Sequence, residues 1–279
     1  MKSLFVCLAL FGFTVSHLAC GKNISPTSSS TGSVTGTQTP SSTPTPSVQF
    51  QAAYQNSVYP NSSYSGETDA WLSGTQPSIQ ESASPYLQID TVNDALNYGL
   101  ENTNGATRSV VKFTGINLPT NSTIIGAEVW FKTETATSVC SGNAVTIGIH
   151  TFSSSIYNPS GSSCMPSWTT TNVDWDGVNG TVNWSSCDGS AGVGGSNFGM
   201  FNPTANSTCV FPSSISGTSQ WVRFFLTTSD IQNEISSGSV QFVVRSEGEF
   251  LYDTSGSTVA LYPNTDNSGN APKLLISYQ

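Results

Sequence analysis

The run DWDGVNG, Asp174 to Gly180, sets the oxygen-bearing side chains of Asp174, Asp176 and Asn179 close together, with Gly177 and Gly180 among them. Carboxylate and amide oxygens on a backbone free to curl are the donors calcium takes, because a hard cation needs several oxygens wrapped around it. The EF-hand pattern fails, since its third acidic position is Val178 and its closing glutamate falls at Ser185. An Asx-rich turn uses the same residues without an ion. Both readings stand, and calcium is the one cofactor for which the sequence offers a site.

A second group of carboxylates, Glu247, Glu249 and Asp253, falls in SEGEFLYD. Glycoside hydrolysis needs two carboxyl groups flanking one bond. Closeness in sequence does not place them on opposite walls of a cleft, and a solvated hairpin turn explains the run as well. Nucleophilic catalysis needs a base beside its nucleophile. Beyond the N-terminal segment the only histidine is His150, mid-strand on the polar face of AVTIGIHTF and expected at the surface, with no G-x-S-x-G elbow in the chain. The expectation is a non-catalytic protein. Sugar binding asks for less, namely flat aromatic faces for the ring and polar groups for its hydroxyls. Trp130, between Glu128 and Lys132 on the polar face of IIGAEVWFK, is the foremost platform, against the alternative that a loop buries it. Tyr86, Trp184, Tyr252 and Tyr262 sit in loop-rich settings and follow.

These residues need strands to hold them. Period-two alternation dominates: Ile125, Ala127, Val129 and Phe131 oppose Gly126, Glu128, Trp130 and Lys132, while Val145, Ile147 and Ile149 oppose Thr146, Gly148 and His150. RSVVKFTG, WVRFFLTT, SVQFVVRS, STVALYP and KLLISYQ read as further strands. One short helix is expected in TTSDIQNEISSG, with Ser229 as cap, Ile231 and Ile235 four apart and Gly238 as stop. The fold class expected is all-β, a two-sheet antiparallel sandwich of jelly-roll type with at most one short helix.

Composition organises the 279 residues. Residues 1–19 read as a signal peptide, apolar and uncharged from Ser3 onward and too short for a comfortable membrane span. They end in HLACGK, which resembles the bacterial lipobox, although its aliphatic position is His17; Cys20 is then the lipidated residue, and an ordinary cut near Ala19 is the other reading. Residues 20–47 form a Ser/Thr/Pro-rich tether with too little apolar surface to offset its ordering entropy. Residues 48–279 are uniform in composition and read as one domain. Charged residues are only 9% of the chain, so its exterior must be mainly hydroxyl and amide. The net charge of −9 opposes nucleic-acid binding, which needs clustered cations. Cys140, Cys164, Cys187 and Cys209 suit two disulfides in an oxidising compartment, with three pairings open. Cys187 and Cys209 bracket most of a Gly-rich insertion between Asp176 and about Pro212, expected to be a clamped surface loop.

RSVVKFTGINLPTNSTIIGAEVWFK, Arg108 to Lys132, resembles a stretch of the DNRLRE domain, which is grouped with the archaeal disaggregatase-related domains and the family-96 carbohydrate-binding modules. TDAWLSG and YLQID are similar to that family's opening strands. WTTTNVDW keeps its Trp-Val-Trp spacing at Trp168, Val173 and Trp175, with Thr170 replacing a glutamate. LTTSDIQNEISSG resembles its helical segment with Glu234 where the family carries tryptophan, and the segment from Phe250 to Tyr278 resembles its closing strands. The resemblance implies a secreted β-sandwich, makes Trp168 and Trp175 structural aromatics bordering the core, and implies glycan binding. The expectation is therefore a surface lipoprotein, lipid-anchored at the outer membrane or cell surface, that binds polysaccharide or cell-surface glycan. The rival is a structural or adhesive module that takes a protein partner instead.

Overall fold

The computed structural model describes residues 49–73, 86–90, 107–139, 144–152, 168–169, 173, 204–247, 257–263 and 269–279, with the backbone of 18–20. In chain order the strands are β1 (Leu18–Cys20), β2 (Phe50–Tyr54), β3 (Glu67–Ser73), β4 (Leu87–Asp90), β5 (Thr107–Thr114), β6 (Ile124–Lys132), β7 (Ala144–Thr151), β8 (Ser207–Pro212), β9 (Trp221–Leu226), β10 (Ser239–Ser246), β11 (Thr258–Leu261) and β12 (Lys273–Tyr278). Among the described residues a 3-10 turn spans Ser213–Ile215, and one helix, α1, spans Thr228–Ser236.

Two sheets form a sandwich. The five-stranded sheet runs β1-β9-β6-β12-β2, antiparallel except for β1, which lies parallel to β9. The seven-stranded sheet runs β11-β4-β5-β10-β7-β8, with β3 on the other edge of β5. One core lies between them. Val129, Phe131, Val222, Phe224, Leu274 and Ile276 point in from the first sheet, and Val111, Phe113, Ile147, Ile149, Phe211, Phe242 and Val244 from the second. Phe131 and Phe224 meet edge to face at 6.0 Å. Each such side chain contributes roughly 1.5–3 kcal/mol by leaving water.

The alternation of β6 holds from Ala127 onward but slips before it. A bulge pairs Tyr278 with Ile124 where Ile125 would be next, so Ile124 enters the core and Ile125 turns partly outward. This corrects the expected face of Ile125.

The larger sheet is covered on its outer face as well. Val110, Val243, Ala70 and Leu72 point away from the sandwich core, yet all are buried. Trp168 lies over this face, fully buried, donating from Nε1 to Gln241 Oε1 at 3.0 Å, while Lys112 donates to its carbonyl and stands 4.4 Å from its ring. Burial on both faces accounts for the near-continuous apolar runs in β5 and β10. It also corrects His150, expected at the surface: it sits on this outer face with no exposure at all.

The insertion is corrected at its end, because 207–212 form β8, a strand pairing with β7, rather than loop. α1 packs against β6 and β10, burying Ile231. Its N-cap is Thr227, whose carbonyl accepts from the N–H groups of Asp230 and Ile231; Ser229 lies inside the first turn and does not cap. Gly238, at φ +95°, ends the segment as expected. No helix among the described residues is long and apolar enough to cross a membrane.

Glu234 faces inward from α1 at 4% exposure, and its Oε2 has no hydrogen-bond partner among the described residues. Burial pushes its carboxyl up to about 8, the Asp230 charge one turn earlier adding to the shift, against a hydrogen bond from the Gln241 N–H. The folded chain therefore holds this proton more tightly than the unfolded one. The stability it confers is complete below the ordinary glutamate value of 4.5 and is lost as pH rises through about 8. Glu234→Gln should leave the melting temperature near that of the parent at pH 5 and raise it at pH 9 by about 2–4 °C, equivalent to about 1 kcal/mol. Equal losses at both pH values in thermal melts would contradict this account of Glu234.

Candidate functional site

The outer face of the five-stranded sheet gathers the best-equipped residues. Antiparallel register places Arg223 of β9, Trp130 of β6 and Lys273 of β12 in one row across three strands. The neighbouring rows carry Phe225, Glu128 and Leu275 on one side, and Trp221 beside Lys132 on the other. Because side chains alternate along a strand, every inward Val129, Phe131, Val222, Phe224 and Leu274 forces one of these outward.

The rings and cations interleave. Trp130 and Trp221 meet edge to face at 6.5 Å. Lys273 Nζ stands 4.8 Å from the Trp130 ring and 5.1 Å from the Trp221 ring. The Arg223 guanidinium lies 5.5 Å from Trp130 and 4.5 Å from Phe225, whose ring is 39% exposed. Arg223 Nε reaches Glu128 Oε2 at 3.5 Å, and Lys132 Nζ donates to Asn270 Oδ1 at 2.7 Å. Partial burial draws the Lys273 ammonium below its usual range, against the nearby Glu128 carboxylate. Cations held against aromatic faces are anchored without being fully neutralised.

The charge distribution sharpens this. The chain has 8 Lys and Arg residues and a net charge of −9, yet among the described residues Lys132, Arg223 and Lys273 share these three rows with a single carboxylate, Glu128. The expected triplet of Glu128, Trp130 and Lys132 is therefore together and partly exposed. Sequence reasoning missed Trp221, Arg223, Phe225 and Lys273. The signal was present in WVRFFL, whose alternation sends Trp221, Arg223 and Phe225 to one side.

Other expected sites fare differently. Trp184, Tyr252, Asp174, Asp176, Asn179, Trp175, Glu249, Asp253, Cys140, Cys164 and Cys187 lie outside the described residues. Tyr86 precedes β4 and Tyr262 follows β11, both half-buried, the latter with its ring 5.8 Å from Lys132 Nζ. Cys20 ends β1, opposite Phe224, and Cys209 is buried in β8. Among the described residues no group of three or more His, Cys, Asp or Glu side chains is arranged to hold a metal ion.

Glu247 and His150, far apart in sequence, do come together: His150 Nε2 lies 2.7 Å from Glu247 Oε1 and 3.2 Å from Arg245 Nε. Gly148 makes the room, since a Cβ there would fall 2.1 Å from the Glu247 carboxylate oxygen. Burial opposes the Glu247 charge, but the His150 hydrogen bond and the Arg245 guanidinium outweigh it and hold the carboxyl below its usual value. Arg245, His150 and Glu247 thus form a compact polar cluster on the covered face, with Arg245 Nε and Glu247 Oε1 both close to His150 Nε2. No protein-family model matches the chain, and no curated protein matches it.

Proposed function

We propose that the outer face of the five-stranded sheet binds polysaccharide, with Trp130 and Trp221 as ring platforms and Lys132, Arg223 and Lys273 contacting hydroxyl, carboxylate or sulfate groups on the sugars. The single observation that carries this reading is the row Arg223–Trp130–Lys273, in which an acidic chain places two of its few cations on either side of a partly exposed indole. An aromatic face flanked by fixed donors suits a pyranose ring, apolar on its faces and polar around its rim. The activity is recognition without turnover.

The same reading puts this face at the end of a stalk: Cys20 lipidated, residues 20–47 as tether, and the sandwich outermost, at the outer membrane or cell surface. HLACGK and the uncharged run from Asn23 to Gly66 support it. Cleavage before Cys20 removes Leu18 and Ala19 from the edge of β9, and in this reading lipidation draws Cys20 away from its place opposite Phe224. Two disulfides among Cys140, Cys164, Cys187 and Cys209 complete the proposal; that Cys209 is buried and disulfide-bonded supports it. Calcium at Asp174, Asp176 and Asn179 remains the proposed cofactor on sequence grounds.

In affinity electrophoresis through polysaccharide-containing gels, Trp130→Ala should weaken retention about tenfold or more, and raising the salt from 50 to 500 mM should weaken retention of carboxylated or sulfated polymers, because exposed charge pairs are screened. Migration of the parent unchanged by every polymer would remove the sugar reading and leave the protein-binding module. Cys20→Ser should abolish incorporation of labelled fatty acid and release the chain from the membrane fraction; labelling that persists in the variant would rule out Cys20 as the anchor.

A further inference from the structure

Beyond the outer face, the molecule has a second cleft at one end of the sandwich, lined by Phe50, Pro119, Thr120, Asn121, Ser122, Tyr278 and Gln279 and enclosing about 280 Å3. Phe50 and Tyr278 are cross-strand partners on β2 and β12 and stack at 5.7 Å with their planes 25° apart. They continue the inward row of Tyr54–Leu274 and Ala52–Ile276 past the end of the core, so their rings face an opening instead of packed side chains. Phe50 is 53% exposed, one of few large apolar side chains so placed among the described residues.

The opposite wall is a turn. Ser122 N–H donates to the Pro119 carbonyl at 3.1 Å, and Asn121 takes the left-handed conformation at φ +66°, where asparagine is tolerated better than most residues. Ser122 Oγ also donates to the Pro119 carbonyl, which leaves its lone pairs able to accept. The turn is held to the strand beyond it by reciprocal backbone bonds between Thr123 and Gln279. One wall is therefore a pair of flat rings and the other a fixed set of hydroxyl and amide side chains.

We propose that this cleft is a second binding site that takes one ring of a neutral sugar, stacked on Phe50 and bonded through its hydroxyls to Thr120, Asn121 and Ser122. Charge selects the ligand class: no lining residue carries a charged side chain, so a charged group entering here would be desolvated without compensation. A hydrocarbon ligand would strand the hydroxyl and amide groups of the turn. A protein partner needs roughly 800 Å2 of its own surface buried, far more than this cleft offers. The site stands independently of the outer face, which holds the three cations on the other side of the sheet.

Saturation-transfer NMR with cellohexaose, xylohexaose, mannohexaose and maltohexaose tests it, using the mature domain, Phe50→Ala and Trp130→Ala. At least one neutral hexamer should receive saturation from the parent and from Trp130→Ala, and lose affinity at least tenfold in Phe50→Ala. Tyr278→Phe, which keeps the ring, should retain binding, so a loss confined to Phe50→Ala reports the platform and not misfolding. The proposal is overturned if none of the four hexamers binds the parent, or if Phe50→Ala binds as the parent does. Polysaccharide retention that fails only in Trp130→Ala leaves the outer face standing whatever happens at the cleft, and the two readings can fall separately.

Discussion

The inward packing of Val129 against Phe224 on one side and Leu274 on the other is the contact on which the rest of the molecule depends. These residues are direct cross-strand partners, almost wholly excluded from water. Strand side chains alternate with a period of two, so fixing this row inward fixes Arg223, Trp130 and Lys273 outward in the next row. A slip of one residue would bury Trp130 and Lys132 and expose Phe131, losing a large apolar side chain from the core and forcing a cation into it. The core thus sets the geometry of the proposed recognition face, and the row is assembled from strands alone.

The two sheets solve different problems. The seven-stranded sheet is buried on both faces along β5 and β10, with Trp168 lying over its outer side, and Arg245, His150 and Lys112 are drawn into internal interactions. The five-stranded sheet keeps its outer face partly in water, and that is where the accessible cations among the described residues, Lys132, Arg223 and Lys273, collect. In a chain with net charge −9 this separation is a local reversal of sign, of the kind that attracts an anionic or hydroxyl-rich ligand to one face and leaves the other to stability.

Much of this was legible in the residues. The alternation in IIGAEVWFK separated Trp130 from Val129, and AVTIGIHTF put Ile147 and Ile149 inward, because a half-buried strand writes its two faces into the sequence. Where the pattern failed, tertiary contacts had intervened. His150 looked like surface because polar residues alternate with isoleucines around it, yet a second covering layer buries it beside Arg245 and Glu247. Ile125 looked inward because a bulge leaves no mark on periodicity. Ser229 resembled a helix cap, but β9 runs straight into α1 and the backbone bend falls at Thr227. The outer face was only half visible, since three strands far apart in sequence contribute to it and a single strand shows one third of a row. The stacked Phe50 and Tyr278 come from opposite ends of the domain, and only the pairing of β2 with β12 joins them.

The central claim is that recognition takes place on Trp130 and Trp221, and indole N–H signals report on it directly. In a titration of isotope-labelled domain with a bound polysaccharide fragment, the account predicts that the Trp130 and Trp221 indole resonances shift together and saturate at one affinity, while the buried Trp168 resonance stays in place. Saturable binding that leaves both of those resonances unmoved, or that moves Trp168 alone, would contradict it.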